Sequence, residues 1–115
     1  MREIKFRAWD KNLERLYNPD YVQEYFHEIV SDNKRFTLLQ YTGLKDKNGK
    51  DIFEGDILEY KKLSFHEDGV ERGHVWYNEY AEWSVNNWLL NRIYRRAEVI
   101  GNIFEHPELL EEQHV

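Results

Sequence analysis

The stretch Gln40-Tyr41-Thr42-Gly43-Leu44-Lys45-Asp46-Lys47-Asn48-Gly49-Lys50-Asp51-Ile52-Phe53-Glu54-Gly55-Asp56-Ile57 decides the fold. At its centre, Asp46-Lys47-Asn48-Gly49-Lys50 is the strongest turn signal in the chain. Asp at the first position and Gly at the fourth suit a type I turn followed by a residue at positive φ. An Asn48-Gly49 type I′ turn is the competing geometry, and both make a hairpin. Apolar strand text flanks the turn, Phe36 to Tyr41 before it and Ile52-Phe53 after it. A second turn at Glu54-Gly55-Asp56 leads into a further strand, Ile57-Leu58-Glu59-Tyr60.

Outward from this centre, the N-terminus reads as a strand. Ile4, Phe6 and Ala8 alternate with Lys5, Arg7 and Trp9, a period of two. Residues 10 to 20 carry turn chemistry, including Asn18-Pro19-Asp20. Val22, Tyr25, Phe26 and Ile29 fall at i, i+3, i+4 and i+7, which predicts a short helix near residues 21 to 30. Asp20 is its candidate cap, with Gln23 at N3 and Ser31-Asp32-Asn33 as the stop. The β-branched and aromatic content leaves a strand open there. Residues 64 to 73 read as a loop. Val75 to Tyr77, Trp83 to Val85, Trp88 to Leu90 and Val99 to Phe104 read as short strands, and Pro107 opens a terminal helical turn at Glu108 to Leu110. Turn signals every 8–12 residues favour a small barrel or sandwich. No repeat, linker or low-complexity segment divides the chain, so a single domain over residues 1–115 is expected.

Composition bounds the class. Ile, Leu, Val and Phe number 31 of 115, about 27%, above the ~20% below which disorder is the default. A domain of this length has an expected radius of gyration of roughly 13 Å. The longest apolar run is three residues, against the about 20 a membrane span needs. Charged residues follow the initiating Met and no apolar leader is visible. With no cysteine there is no disulfide framework, thiolate metal site or thiol nucleophile, which suits a reducing cytoplasm. The net charge of −6, from 22 acids and 16 bases, disfavours non-specific nucleic-acid binding.

Three blocks resemble the YopX family of bacteriophage and prophage proteins. They are Met1-Arg2-Glu3-Ile4-Lys5-Phe6-Arg7-Ala8-Trp9-Asp10, the central stretch Gln40 to Ile57, and Val99-Ile100-Gly101-Asn102-Ile103-Phe104-Glu105-His106-Pro107-Glu108-Leu109. The resemblance implies a phage-encoded protein working in a bacterial cytoplasm, with an SH3-like barrel in its β-rich part. It brings no catalytic residue and no cofactor. Phe53-Glu54-Gly55-Asp56-Ile57-Leu58 also looks like the diverging turn of SH3-like barrels. No ALYDY-like aromatic strand is present, so a proline-peptide groove is not expected.

Candidate chemistry is sparse. Asp46, Asp51, Glu54 and Asp56 place four carboxylates within eleven residues, the raw material of a Mg²⁺ or Ca²⁺ site. An EF-hand register fails, because Gly49 at loop position six puts Leu44 at one and Gly55 at twelve. Turn capping accounts for Asp46, and no metal residue is assigned. His27, His66, His74, His106 and His114 contain no i, i+4 pair and no HExxH, although His66-Glu67 and His74 could meet across a loop. No nucleophile motif surrounds Ser31, Ser64 or Ser84. Two basic patches carry more: Arg2, Lys5 and Arg7 with Trp9, and Arg92, Arg95 and Arg96 bracketing Tyr94. Positive charge beside a ring suits single-stranded nucleic acid, since charge tracks phosphates and rings stack on bases. Strand lysines and arginines also pair with neighbouring acids and protect sheet edges. Trp76, Trp83 and Trp88 are expected mostly in a ring-filled core.

The expectation is a mainly β (α+β) fold, a small SH3-like barrel with an N-terminal strand and a short helix. The leading functional reading is a non-enzymatic accessory module that binds a phage or host protein. Nucleic-acid binding through the two basic patches is the alternative, and a metal-dependent enzyme using the four carboxylates the third. No cofactor and no membrane partner are expected, and unpaired strand edges would permit a homo-oligomer.

Overall fold

A computed structural model describes residues 3–62 and 69–111. The Asp46–Lys50 hairpin is formed as the sequence predicts. The Gly49 amide donates to the Asp46 carbonyl over 3.0 Å and Gly49 takes φ +81°. Asn48 is not among the residues at positive φ, so the type I turn with a left-handed glycine is realised rather than type I′.

Among the described residues nine strands form two antiparallel sheets, one curled as a half-barrel. The first has the order β2-β1-β3-β4, from β1 (Phe6–Asp10), β2 (Arg15–Tyr17), β3 (Phe36–Lys45) and β4 (Asp51–Phe53). The second has the order β8-β7-β6-β5-β9, from β5 (Asp56–Lys61), β6 (Val70–Tyr77), β7 (Trp83–Val85), β8 (Trp88–Leu89) and β9 (Glu98–Asn102). The mainly β class and the N-terminal strand are as expected.

The corner between the sheets is Glu54-Gly55. The Glu54 amide donates to Gln40 O of β3 over 2.9 Å, which ties the corner to the first sheet. The Gly55 amide donates to Val75 O of β6, and Gly55 O accepts from the Ile103 amide, both at 2.9 Å. Gly55 sits at φ +87°, and a Cβ there would meet Phe104 Cε2 at 2.7 Å. Only glycine satisfies both conditions.

Two cores form, and the second draws Ile52 from β4 of the first sheet. Ala8, Val22 and Ile29 form one beneath the helices α1 (Pro19–Glu24) and α2 (Phe26–Ser31), with Phe6, Tyr17, Phe36 and Leu38 packed around them. Ile52, Leu58, Tyr60, Val75, Val85, Leu90, Ile93, Ala97 and Val99 form the other. This arrangement is more extended than one barrel, and the radius of gyration is 15.0 Å rather than the expected value near 13 Å.

Several local expectations change. The region 10–20 is not all turn, because β2 pairs with β1 through Ala8↔Tyr17 to Asp10↔Arg15. The helix near 21–30 is two short helices that break at Tyr25. Its cap is Asn18, whose side chain accepts from the Tyr21 amide at 3.0 Å with Pro19 opening the first turn, and not Asp20. The loop expected to run to Gly73 ends earlier, because β6 begins at Val70. Leu90 belongs to a helical turn, α3 (Leu90–Ile93), rather than to a strand. A 3₁₀ turn follows at Tyr94–Arg96, and α4 (Glu108–Glu111) closes the described chain. Of the three middle tryptophans only Trp83 packs on the core, while Trp76 and Trp88 are exposed. Trp76 lies on the face of β6 opposite Val75, and Trp88 starts a two-residue edge strand.

Candidate functional site

The four central carboxylates have four different partner sets. Asp46 Oδ1 accepts from the Asn48 and Lys50 amides at 2.8 and 2.9 Å, and Oδ2 accepts from the Val99 amide at 2.9 Å. Burial opposes its charge, yet these donors hold its carboxyl below the ordinary value. Asp51 meets Lys5 at 2.7 Å and Lys45 at 3.3 Å. Glu54 accepts from the Gln40 amide at 3.3 Å. Asp56 accepts from Arg7 at 3.1 Å and from the Phe53 amide at 2.8 Å. Among the described residues no three acidic, histidine or cysteine side chains gather as a metal site. His27 is exposed, and His106 Nδ1 accepts from the Asn102 amide at 3.3 Å. His66, Glu67, His114 and Ser64 lie outside the described residues. Ser84 is buried and bonded to Asn78 at 2.8 Å.

The first basic patch faces inward, toward the junction of the sheets. Lys5 bridges Glu3 at 2.6 Å and Asp51 at 2.7 Å, with its ammonium 4.7 Å from the centre of the Tyr41 ring. Hydrogen bonds to Asp51 and Glu3 raise its pKa. Arg7 stacks over Phe53 at 4.0 Å while it pairs with the buried Asp56. Trp9 stacks on Phe104 at 5.5 Å, across the junction. Arg2 lies outside the described residues. Arg7, Lys50, Asp56, Glu105 and His106 line a cleft of about 340 Å³ between the sheets. Burial pushes the Asp56 carboxyl up to about 6, against the pull of Phe53 N–H, Arg7 and Lys50.

The second patch faces outward. Arg92, Arg95 and Arg96 are exposed on α3 and the 3₁₀ turn. No carboxylate of the described residues pairs with them. Arg95 Nε donates to the Tyr94 hydroxyl over 3.0 Å, and its guanidinium carbon lies 5.5 Å from that ring's centre. Arg92 and Arg96 share a hollow of about 390 Å³ with Trp88 and Leu89. Sequence reading expects most of the three middle tryptophans in the core without saying which, and Trp88 is one that is exposed. Its signal was its neighbours, since Asn86-Asn87 before it are turn residues that end a strand early.

A third surface was not anticipated. Tyr17 stacks on Tyr21 at 4.2 Å, and Tyr21 meets Tyr25 at 4.6 Å. Tyr21, Tyr25, Phe26 and Val30 are 38–48% exposed, and Ile4 is 71% exposed. Beside them Ile4, Phe6, Val22 and Phe26 line a groove of about 470 Å³ whose charged lining is Glu3, Lys5 and Asp20. The period-3.6 pattern singled out Tyr25 and Phe26 as core-facing, but only Val22 and Ile29 are buried. The break at Tyr25 turns the remaining rings to the outside.

No helix among the described residues is long and apolar enough to cross a membrane. The family model described as YopX protein matches residues 19–111. Two of the three blocks quoted above lie inside that span, and the first precedes it. A comparison with curated protein sequences returns no match. Among solved structures, protein EF1440 from Enterococcus faecalis is similar with a TM-score of 0.65 and 26% identity, over 96% of this chain and 99% of that one.

Proposed function

The chain belongs to the YopX family, and from that premise we propose that it is a non-enzymatic accessory protein of a phage or prophage, which binds a phage or host protein in the bacterial cytoplasm. The observation that carries this reading is the exposed ring surface of α1 and α2. Rings held in place by one another bury area against a partner at little cost in side-chain entropy. Tyr17, Tyr21 and Tyr25 are ordered in this way before any partner arrives. Glu3 on the rim is paired with Lys5, so Asp20 is the acid the rim leaves to a partner, and it favours one whose apolar patch carries a lysine or arginine beside it. The corner at Gly55, where β4 and β5 part into different sheets, supports the SH3-like description of the β-rich part. The carboxylates that a hydrolase or metal enzyme would need are spent on amides and on Lys5, Lys45 and Arg7.

Affinity capture of the tagged protein from phage-carrying cells tests this, with nuclease treatment before elution. A defined protein that survives nuclease and is lost with Tyr25→Asp is the expected result. A partner retained unchanged by Tyr25→Asp would place the contact elsewhere, and turnover of a defined substrate with no protein partner would overturn the reading.

A further inference from the structure

We infer that the surface formed by Arg92, Arg95, Arg96 and Trp88 binds single-stranded nucleic acid. The inference is independent of the ring surface on α1 and α2, which uses other residues. Three features converge on it.

The first is charge. The molecule carries −6 overall, yet three arginines lie within five residues with no carboxylate of the described residues paired to any of them. Elsewhere Lys5 and Arg7 of the first basic patch are met by Glu3, Asp51 and Asp56. A cationic island in an acidic molecule selects a polyanion and orients it. The Asp46–Lys50 hairpin extends the island. The Lys47 amide donates to Ala97 O over 3.0 Å, which brings Lys47 beside the 3₁₀ turn, its own charge only loosely met by Glu98 at 3.9 Å.

The second is a ring placed among the cations. Trp88 is 36% exposed and shares a hollow with Arg92 and Arg96. An indole beside two guanidinium groups offers a stacking platform next to phosphate donors, the combination single strands use. A duplex keeps its bases stacked inside and cannot use the indole, so the arrangement favours an open strand.

The third is reach. Helical residues rise by roughly 1.5–2 Å each, so Arg92 to Arg96 spans only about 6–8 Å, and its three fanned guanidinium groups engage at most about three phosphates. The site is therefore small, and its affinity for a long strand is modest and sensitive to salt.

The test is fluorescence anisotropy of a labelled single-stranded oligo-dT, with the same oligonucleotide as a duplex and a poly-glutamate peptide as competitors. The expected log–log slope of affinity against salt is about −2, at roughly 0.7 per phosphate. That is about a 20-fold fall between 50 and 200 mM. R92A/R95A/R96A should lose the binding and flatten the slope. Trp88→Ala should weaken it about 5- to 100-fold while keeping the slope, because it removes stacking and not charge. All four positions are exposed or at an edge, and the circular dichroism of each variant is compared with that of the parent. No anisotropy change at low salt overturns the inference, and so does duplex bound as well as single strand. Competition by poly-glutamate at equal charge would reassign the surface to an acidic protein.

Discussion

Asp56 has almost no contact with water and takes a guanidinium on one oxygen and a backbone amide on the other. Burial raises its folded pKa from 3.8 to about 6. Between those values the folded state binds more protons than the unfolded chain, so stability on this group's account falls as pH rises from about 4 to about 6. Arg7, Lys50, Glu105 and His106 face the same cleft. Urea unfolding from pH 4 to 7 should show the wild type losing up to about 3 kcal/mol relative to Asp56→Asn, at 1.36 kcal/mol per unit. Parallel curves would contradict the assignment. Asp10 runs the other way. Arg35 and the Asn12 and Leu13 amides hold its carboxyl at about 2, so its contribution is present above the ordinary carboxyl value and is lost as pH falls toward 2. Two glycines separate backbone strain from crowding. A Cβ at Gly49 meets nothing within 4 Å, so Gly49→Ala should cost only the left-handed penalty, about 1–2 kcal/mol. Gly55→Ala adds a collision with the Phe104 ring and should cost clearly more, about 3 kcal/mol or greater. Equal losses would mean that the ring gives way freely.

At the scale of elements, the hairpin was legible because turn chemistry is local. Asp46, Asn48 and Gly49 carry their own geometry. What the sequence did not disclose is that Asp46 also accepts from Val99, 53 residues away, and so fastens the hairpin to β9. Asp46→Ala removes the carboxylate that accepts from three backbone amides at a buried site and should cost about 3 kcal/mol in denaturant unfolding. A loss below 1 kcal/mol would mean water replaces the carboxylate. The helices were half legible. Val22 and Ile29 are buried as their spacing predicts, but Asn18-Pro19 was read as turn when it is the cap and first turn of α1. Asn18→Ala should cost about 1 kcal/mol. β2 was missed because three residues with one apolar alternation carry too little period to register.

At the scale of the molecule, the first basic patch shows where local reading ends. Arg7 and Trp9 share a face of β1, and Lys5 just before the strand continues it, as their alternation implies. Whether that face meets solvent depends on β4, the Gly55 corner and Phe104, which lie about 40 to 100 residues further on. The second patch kept its exposure because α3 buries Leu90 and Ile93, while Arg92 and the arginines of the 3₁₀ turn stay outside. The ring surface of α1 and α2 was invisible for the converse reason, since rings at helical spacing are ordinarily core. The central claim is that this surface holds a protein partner. The most direct measurement is quantitative capture from phage-carrying cells after nuclease, with wild type, Tyr25→Asp and R92A/R95A/R96A side by side. The account predicts a defined protein bound by the wild type and by the arginine variant, and absent with Tyr25→Asp. A partner lost with the arginine variant and kept by Tyr25→Asp would contradict it.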